Sequence, residues 1–285
     1  MKKLKAEAHD SVILLGDISC LFNNPIIAAP ICNRKCLCTL EFVKKSNKLK
    51  INGLEGLEAD VVKTALLNLK IEGTFNFIFD YQYEAINDSV RAAAALLCVK
   101  KLISELGLEP REKISLIPRQ IFSTTDQLPF ATLLASSFLG KPIAARVREG
   151  FIELALIKPF KMLYLPLTLR KPKIDNKLYE LEDILSPLTH TLGHLSIEAV
   201  KAMENGDTSL LFYVMELESR LTLGLLDDPY EIFHEMYKAY QIVSSAIRYS
   251  FYHHAIVIPY LRYRKSFNDL TKSFMKSLKL DVMTP

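Results

Sequence analysis

Residues 8–31 read AHDSVILLGDISCLFNNPIIAAPI. Within it, SVILLGD (11–17) is an apolar run closed by Gly16, which reads as a buried strand ending in a turn. PIIAAPI (25–31) starts the next strand region, and CLCTLEFV (36–43) continues it with the alternation of a half-buried strand. Further along, SNKLKING is a hairpin-like turn with a short strand at Leu49 and Ile51. LEADVVKTALLNL (57–69) has helical apolar spacing, and TFNFIFDYQY alternates strictly from Phe75 to Tyr81. An alanine-rich helix over 88–106 is ended by Gly107 and Pro110. Further helical stretches are expected over 111–121, interrupted by Pro118, and over 126–139, closed by Gly140. FIELALIKPFKMLYLPLTL (151–169) reads as two strands around Pro159, and RKPKIDNKLYE as a linker or exposed loop. Long helical periods follow at 178–204, 207–223 and 229–247, then a strand, HHAIVIPYL, and a final amphipathic helix at 266–278. Strands and helices mix without regular βα alternation, so α+β is favoured over a doubly wound sheet.

The 285 residues suffice for one large domain or two modest ones, and 49% hydrophobic with 24% charged residues suits a globular chain with a full core. With 36 basic and 32 acidic residues the net charge of +4 is too balanced to argue for nucleic acid. The basic residues are dispersed except for Arg262, Arg264 and Lys265. MKKLKAEAHD is charged, and VILLG is far shorter than the roughly 18 residues of a membrane span. The expectation is therefore a cytoplasmic protein with no membrane segment. Cys32, Cys36 and Cys38 lie close together with Cys20 not far, yet no second CxxC pair or nearby histidine completes a zinc spacing. They read as buried thiols, and no metal site is expected. Glycine is scarce, at 10 residues, about half the usual share of roughly 7%.

The stretch 8–31 resembles the opening motif of the GHMP kinases, the superfamily of galactokinase, homoserine kinase, mevalonate kinase and phosphomevalonate kinase. That motif runs A-P-G-K-V-I-L-x-G-E-H, then about six residues, then G-x-P-A-I-A-A-A-I. Laid on it without gaps, Ala8, Val12, Ile13, Leu14, Gly16, Pro25, Ile27, Ala28, Ala29 and Ile31 match. Asp17 falls on the family's Glu, Ser11 on its Lys, Ile18 on its His, and Asn23 replaces its Gly. A second resemblance lies in EAINDSVRAAAALL (84–97), where the family has P-x-x-x-G-L-G-S-S-A-A and a long helix that holds the ATP phosphates. The helix is recognisable and the glycines are not. Ser89 and Asn87 are what remain for phosphate contact, while Asp88 would repel a phosphate oxygen. Either Asn87 or Asp88 also serves as an ordinary helix N-cap.

IFSTTDQLPFATLLASSFLG (121–140) is similar to the family's P-S-G-x-D segment, with Ser123 and Asp126 on the Ser and Asp. The resemblance implies Asp126 as the base that accepts the substrate hydroxyl's proton; an N-cap role for it is equally open. NGDTSLLFYVMELESRLTLGLLDDP (205–229) matches a G-D-x-x-x-L-G-x-L-M packing pattern through Gly206, Asp207, Leu211 and Met215. The family's last glycine loop is replaced by AIRYSFYHH. Its bulky side chains cannot copy a loop of bare N–H groups. They fill the pocket, with the run 249–252 as a plug, or bind something flat or anionic through Arg248 and His254.

The resemblance implies two GHMP-kinase-like α+β domains, 1–155 and 156–285, with a cleft between them. The favoured expectation is a non-catalytic or strongly diverged paralogue, a pseudoenzyme with a degenerate ATP-binding site. It would bind a small metabolite or a protein partner, with homodimerisation open, and needs no cofactor. The alternative is an active mevalonate-kinase-like phosphotransferase with an alcohol acceptor, using ATP and Mg. Its candidate residues are Asp126 and Ser123 for catalysis, Ser89, Asn87 and Ser11 for cofactor, and Asp17, Arg248 and His254 for substrate.

Overall fold

In the computed structural model the residues described are 2–44, 48–81, 86–107, 117, 119–155, 158–174, 182–243, 245–262, 266–273 and 277–282. The strands are β1 (Lys2–Leu15), β2 (Ile26–Val43), β3 (Lys50–Asn52), β4 (Thr74–Tyr81), β5 (Ile143–Arg146), β6 (Gly150–Glu153), β7 (Phe160–Pro166), β8 (Arg248–Ser250), β9 (Ala255–Tyr260) and β10 (Leu278–Val282). The helices are α1 (Gly56–Asn68), α2 (Ser89–Glu105), α3 (Leu128–Leu139), α4 (Glu182–Asn205), α5 (Thr208–Leu223), α6 (Tyr230–Ile242) and α7 (Ser266–Ser273).

β2 is the hub of the sheet. It pairs with β1 along its length, with β4 through Cys36–Val43, with β5 through Ile26–Ala28, and with β10 at Ile31. β7 and β9 continue beyond β10 to β8. The expected domain boundary at 155/156 falls between β6 and β7, and the Val282–Ile31 pairing joins the strands on either side of it.

Sequence pattern explains which strand segments are covered twice. Residues 36–43 of β2 alternate buried and half-buried, whereas Val12–Leu15 and Ile26–Ile31 are buried throughout. A strand covered on one face reads as alternation; one covered on both reads as an unbroken apolar run. Ile13, Ile26 and Ala28 pack into the core under α2 and α3, and Val12, Leu14, Ile27 and Ile31 into the core under α4 and α5. A third cluster joins β7 and β9 to α6 and α7 through residues such as Ile232, Met236 and Phe267. In α2 the run Ala92–Ala95 is fully buried, because small side chains let a helix lie close on the strands it covers.

Several expectations change. β1 starts at Lys2, nine residues before Ser11, because Leu4, Ala6 and Ala8 alternate inward between charged neighbours. The final helix stops at Ser273, and Leu278–Val282 forms β10 between β2 and β7, burying Leu280 and Val282. The helix expected to reach 247 ends at Ile242, and Arg248–Ser250 is strand. Ile143–Arg146 adds a strand that was not expected. Most of 111–121 lies outside the described residues, as do Arg264 and Lys265 of the basic run; Arg262 is exposed. Cys20, Cys36, Cys38 and Cys98 are buried and all five cysteines are free. Among the described residues no helix is long and apolar enough to cross a membrane, and no three His, Cys, Asp or Glu side chains gather to hold a metal.

Candidate functional site

A break in strand register builds the centre of the site. β1 and β2 pair in step from Lys2–Phe42 to His9–Lys35, and the next pair is Asp10–Ile31, so residues 32–34 have no partner in that ladder. Asp10 stays in phase with Leu4, Ala6 and Ala8 and is 2% exposed. Its carboxylate accepts the Ile86 N–H at 2.6 Å, the Asn87 side-chain amide at 2.7 Å and the Ser11 N–H at 2.8 Å. Burial pushes the Asp10 carboxyl up to about 6, against the pull of these donors and of Arg34.

The residues singled out for phosphate are drawn into the same network. Asn87 gives its amide to the Ser11 carbonyl as well, at 2.8 Å, and the Ser89 hydroxyl donates to the Asn87 Oδ1. The Ser11 hydroxyl donates to the Leu133 carbonyl at 2.9 Å and accepts from Ser137 at 2.9 Å. Ser11 and Ser89 are fully buried. Asp88 occupies the N-cap position of α2 but makes no side-chain cap, and Asn87 is spent elsewhere, so neither caps the helix.

The residues singled out for substrate form a second buried network. Arg248 is 0% exposed. Its guanidinium donates to Asp17 Oδ1 at 2.7 Å and to the Ile13 carbonyl at 3.2 Å, with Glu218 Oε2 at 3.5 Å. The other Asp17 oxygen accepts the Ser250 hydroxyl at 2.8 Å and the Tyr252 N–H at 3.2 Å. Glu218 accepts the Gly16 N–H at 3.3 Å, and burial holds its carboxyl above the usual range despite Arg248. One guanidinium thus faces two carboxyls. Gly16 sits at φ +91°, where a Cβ would lie 2.4 Å from the Pro25 carbonyl oxygen. His254 donates through Nε2 to the Leu169 carbonyl at 2.8 Å, which leaves Nδ1 to accept the Tyr249 hydroxyl at 2.9 Å.

Ser123 and Asp126 are exposed. Asp126 is not an N-cap: α3 begins at Leu128 after Gln127, with proline in its first turn. Its charge reaches Cys20, whose thiol is raised chiefly by burial and then by the charges of Asp17, Glu218 and Asp126. Asp207, by contrast, caps α5 by accepting the Leu210 N–H at 3.0 Å.

Beside these networks lies a cavity of ≈ 680 Å³. It is lined by Ile86, Asn87 and Asp88 and, from the start of α1, by Glu55, Leu57 and Glu58. Tyr252 and His253 line it as well, so the aromatic run bounds a space there. His253 accepts the Ile13 N–H at 3.4 Å, and burial lowers it to about 4, so the ring is neutral at pH 7. Glu58 is pushed up to about 7, first by burial, then by Asp88 and Glu55, with Arg91 opposing.

Asp10, Glu58, Arg91 and Glu218 are absent from the motif-based candidates. Asp10 falls on the G of the A-P-G-K motif. Its signal is a carboxylate in the inward phase of an alternating strand; that of Glu218 is a charge four residues after Val214 and four before Thr222 on the buried face of α5.

The mixed sheet covered by helices is the α+β, two-domain GHMP-kinase fold, as its superposition on solved structures shows. The mevalonate kinase of L. major, solved with R-mevalonate, superposes with a TM-score of 0.69 at 14% identity, over 98% of this chain and 96% of that one. The mevalonate pyrophosphate decarboxylase of Streptococcus pyogenes gives 0.68 at 10% identity, over 100% and 98%. The Streptococcus pneumoniae phosphomevalonate kinase gives 0.68 at 11%, over 98% and 100%. No family model matches the chain, and no curated protein matches its sequence.

Proposed function

We propose that this protein is a strongly diverged GHMP-fold paralogue that binds a small metabolite or a protein partner in its cleft and transfers no phosphoryl group. One observation supports this above the others: Asp10 takes the Ile86 N–H and the Asn87 amide at the start of α2, where the fold's kinases offer donors to phosphate. A carboxylate already seated there repels an incoming phosphate, and removal of a single positioned donor typically lowers a rate by about 10²–10³. Ser11, in place of the motif lysine, supplies no charge. Five free cysteines fit a reducing, cytoplasmic setting.

The test is calorimetric titration with Mg·ATP, paired with a thermal melt. No binding is expected. Affinity tighter than about 1 mM would raise the melting temperature at saturation and overturn the reading. The second reading, an alcohol phosphotransferase using ATP and Mg, draws on Asp126, which is exposed and within electrostatic reach of Cys20 beside Asp17. Turnover of mevalonate or its phosphates, lost in Asp126→Asn, would establish it.

A further inference from the structure

β1 is an edge strand. Among the described residues it pairs with β2 and with no other strand. Its odd-numbered residues turn their backbone groups away from β2. The Lys5 carbonyl accepts Lys101 Nζ at 2.6 Å, the Ser11 carbonyl accepts Asn87, and the Ile13 carbonyl accepts Arg248. From Ser11 onward that edge lies inside the buried networks of the site. From Lys3 to His9 it runs along the surface, where Lys3, Lys5 and Glu7 are exposed and His9 is half-buried. Lys101 reaches this part of the edge from α2. A groove of ≈ 570 Å³ lies between strand and helix, lined by residues that include Ala6, Glu7, Leu97 and Lys100. A long exposed edge is a template for a further strand.

The charges along the edge select its occupant. Residues opposite each other in an antiparallel pair share a face, so exposed residues of KKLKAEAH (2–9) meet exposed residues. Two copies of this strand can pair about a two-fold axis in few registers. An axis at Lys5 sets lysine against lysine, one at Glu7 sets glutamate against glutamate, and one at Leu4 sets Lys3 against Lys5. An axis at Ala6 sets Lys5 against Glu7 twice, and Leu4 against Ala8. It also sets Lys3 against His9, whose ring burial holds below its ordinary 6.5 and so neutral at pH 7. Glu7 already meets Lys35 and Lys3 meets Glu41, whereas Lys5 has no carboxylate of its own chain among the described residues. We propose that this protein forms a dimer in which the β1 edges of two copies pair antiparallel about an axis at Ala6. The backbone groups of residues 3, 5, 7 and 9 bond those of residues 9, 7, 5 and 3 in the partner. Lys101 gives up the Lys5 carbonyl to the N–H of Glu7 of the partner subunit. The proposal is independent of what the cleft binds.

The experiment is sedimentation equilibrium of the full chain at pH 7, from about 1 μM to about 1 mM. The wild type is expected to reach twice the mass of one chain. Lys5→Glu and Glu7→Lys each set like charges opposite each other at two places, and each should weaken the dimer about tenfold or more. An equimolar mixture of the two variants restores both opposite-charge pairs across the axis and should recover the dimer. The double variant Lys5→Glu/Glu7→Lys should recover it alone. Glu7→Pro removes an N–H that faces the partner and not β2, and should abolish the dimer. Melting curves check that each variant is folded. A monomer at every concentration overturns the proposal, and the lysines then guard the edge against pairing. A dimer that both single variants leave unchanged also overturns it and moves the contact elsewhere, with the exposed Tyr230, Phe233 and Tyr237 of α6 as the next face to test. Weakening by both single variants without recovery in their mixture overturns the register at Ala6.

Discussion

Asp10 and Glu58 are both buried carboxylates near the start of α2, and burial raises both. Asp10 accepts three N–H donors from its own chain, whereas Glu58 has an oxygen with no hydrogen bond, a guanidinium at 3.4 Å, and two further carboxylates on the same cavity. One region is a buried polar seam of two networks, one around Asp10, Ser11, Asn87 and Ser89 and one around Asp17, Arg248 and Glu218, where Glu218 Oε2 also lacks a hydrogen bond, 3.5 Å from Arg248. The other is a charged wall of the cavity. Polar residues of a cleft matter for ligands to the extent that the fold has not already satisfied them. By that measure Ser11, Asp17, Ser89 and Arg248 belong to the protein's interior, whereas Asn87 lines the cavity and Ser123 and Asp126 are exposed.

If the seam is closed, breaking it should be the most damaging change. Arg248→Leu strands Asp17 and Glu218 as buried carboxyls without their cation, and should cost about 3–5 kcal/mol, read from urea midpoints. Adding Asp17→Asn and Glu218→Gln should restore much of the loss, since the desolvated charges go with the arginine. A loss below about 1 kcal/mol from Arg248→Leu alone would mean that water or another ligand reaches the seam.

Gly16 tests the turn that carries the seam. At φ +91°, with Pro25 oxygen 2.4 Å from an added Cβ, Gly16→Ala must move backbone and not merely a side chain. About 2–3 kcal/mol of destabilisation is expected in the same assay. Glycine at this position was legible from the sequence as a turn signal. So were most elements: the alternating β4, the alanine-rich α2 and the both-face-buried runs of β1 and β2 announce themselves through their periods. β10 and β8 did not. LKLDV is five residues long and follows a helical pattern, and its strand character comes from the gap it fills between β2 and β7. The site was half legible. Motif positions located the cleft, but what Ser11, Asn87 and Arg248 do there depends on partners more than 70 residues away, such as Asp10 for Asn87 and Asp17 for Arg248. No local pattern encodes those pairings.

Asp10 separates the two carboxylates by pH. Its native value of about 6 lies above the ordinary 3.8, so the folded state holds the proton more readily than the unfolded one. The stability this adds is complete below pH 4 and is lost as pH rises through 6. Stability of the wild type minus that of Asp10→Asn should therefore fall between pH 4 and 7, by on the order of 2–3 kcal/mol. A flat difference would mean that the three donors hold Asp10 at its ordinary value, and the seam would then be more strongly stabilising than burial alone suggests.

The smallest effect on stability is expected at Asp126, and it discriminates most sharply between functions. The side chain is exposed, caps no helix, and belongs to neither the seam nor the cavity lining. Asp126→Asn should shift stability by no more than about 0.5 kcal/mol. An aspartate retained as a general base behaves differently: its loss leaves the fold intact and removes phosphoryl transfer. Wild type and Asp126→Asn assayed side by side with Mg·ATP and an alcohol acceptor would thus either both be silent, as a closed seam requires, or differ in turnover at equal stability. In the second case phosphate must approach by a route that avoids Asp10, and the contrast between seam and wall would no longer describe where this protein acts.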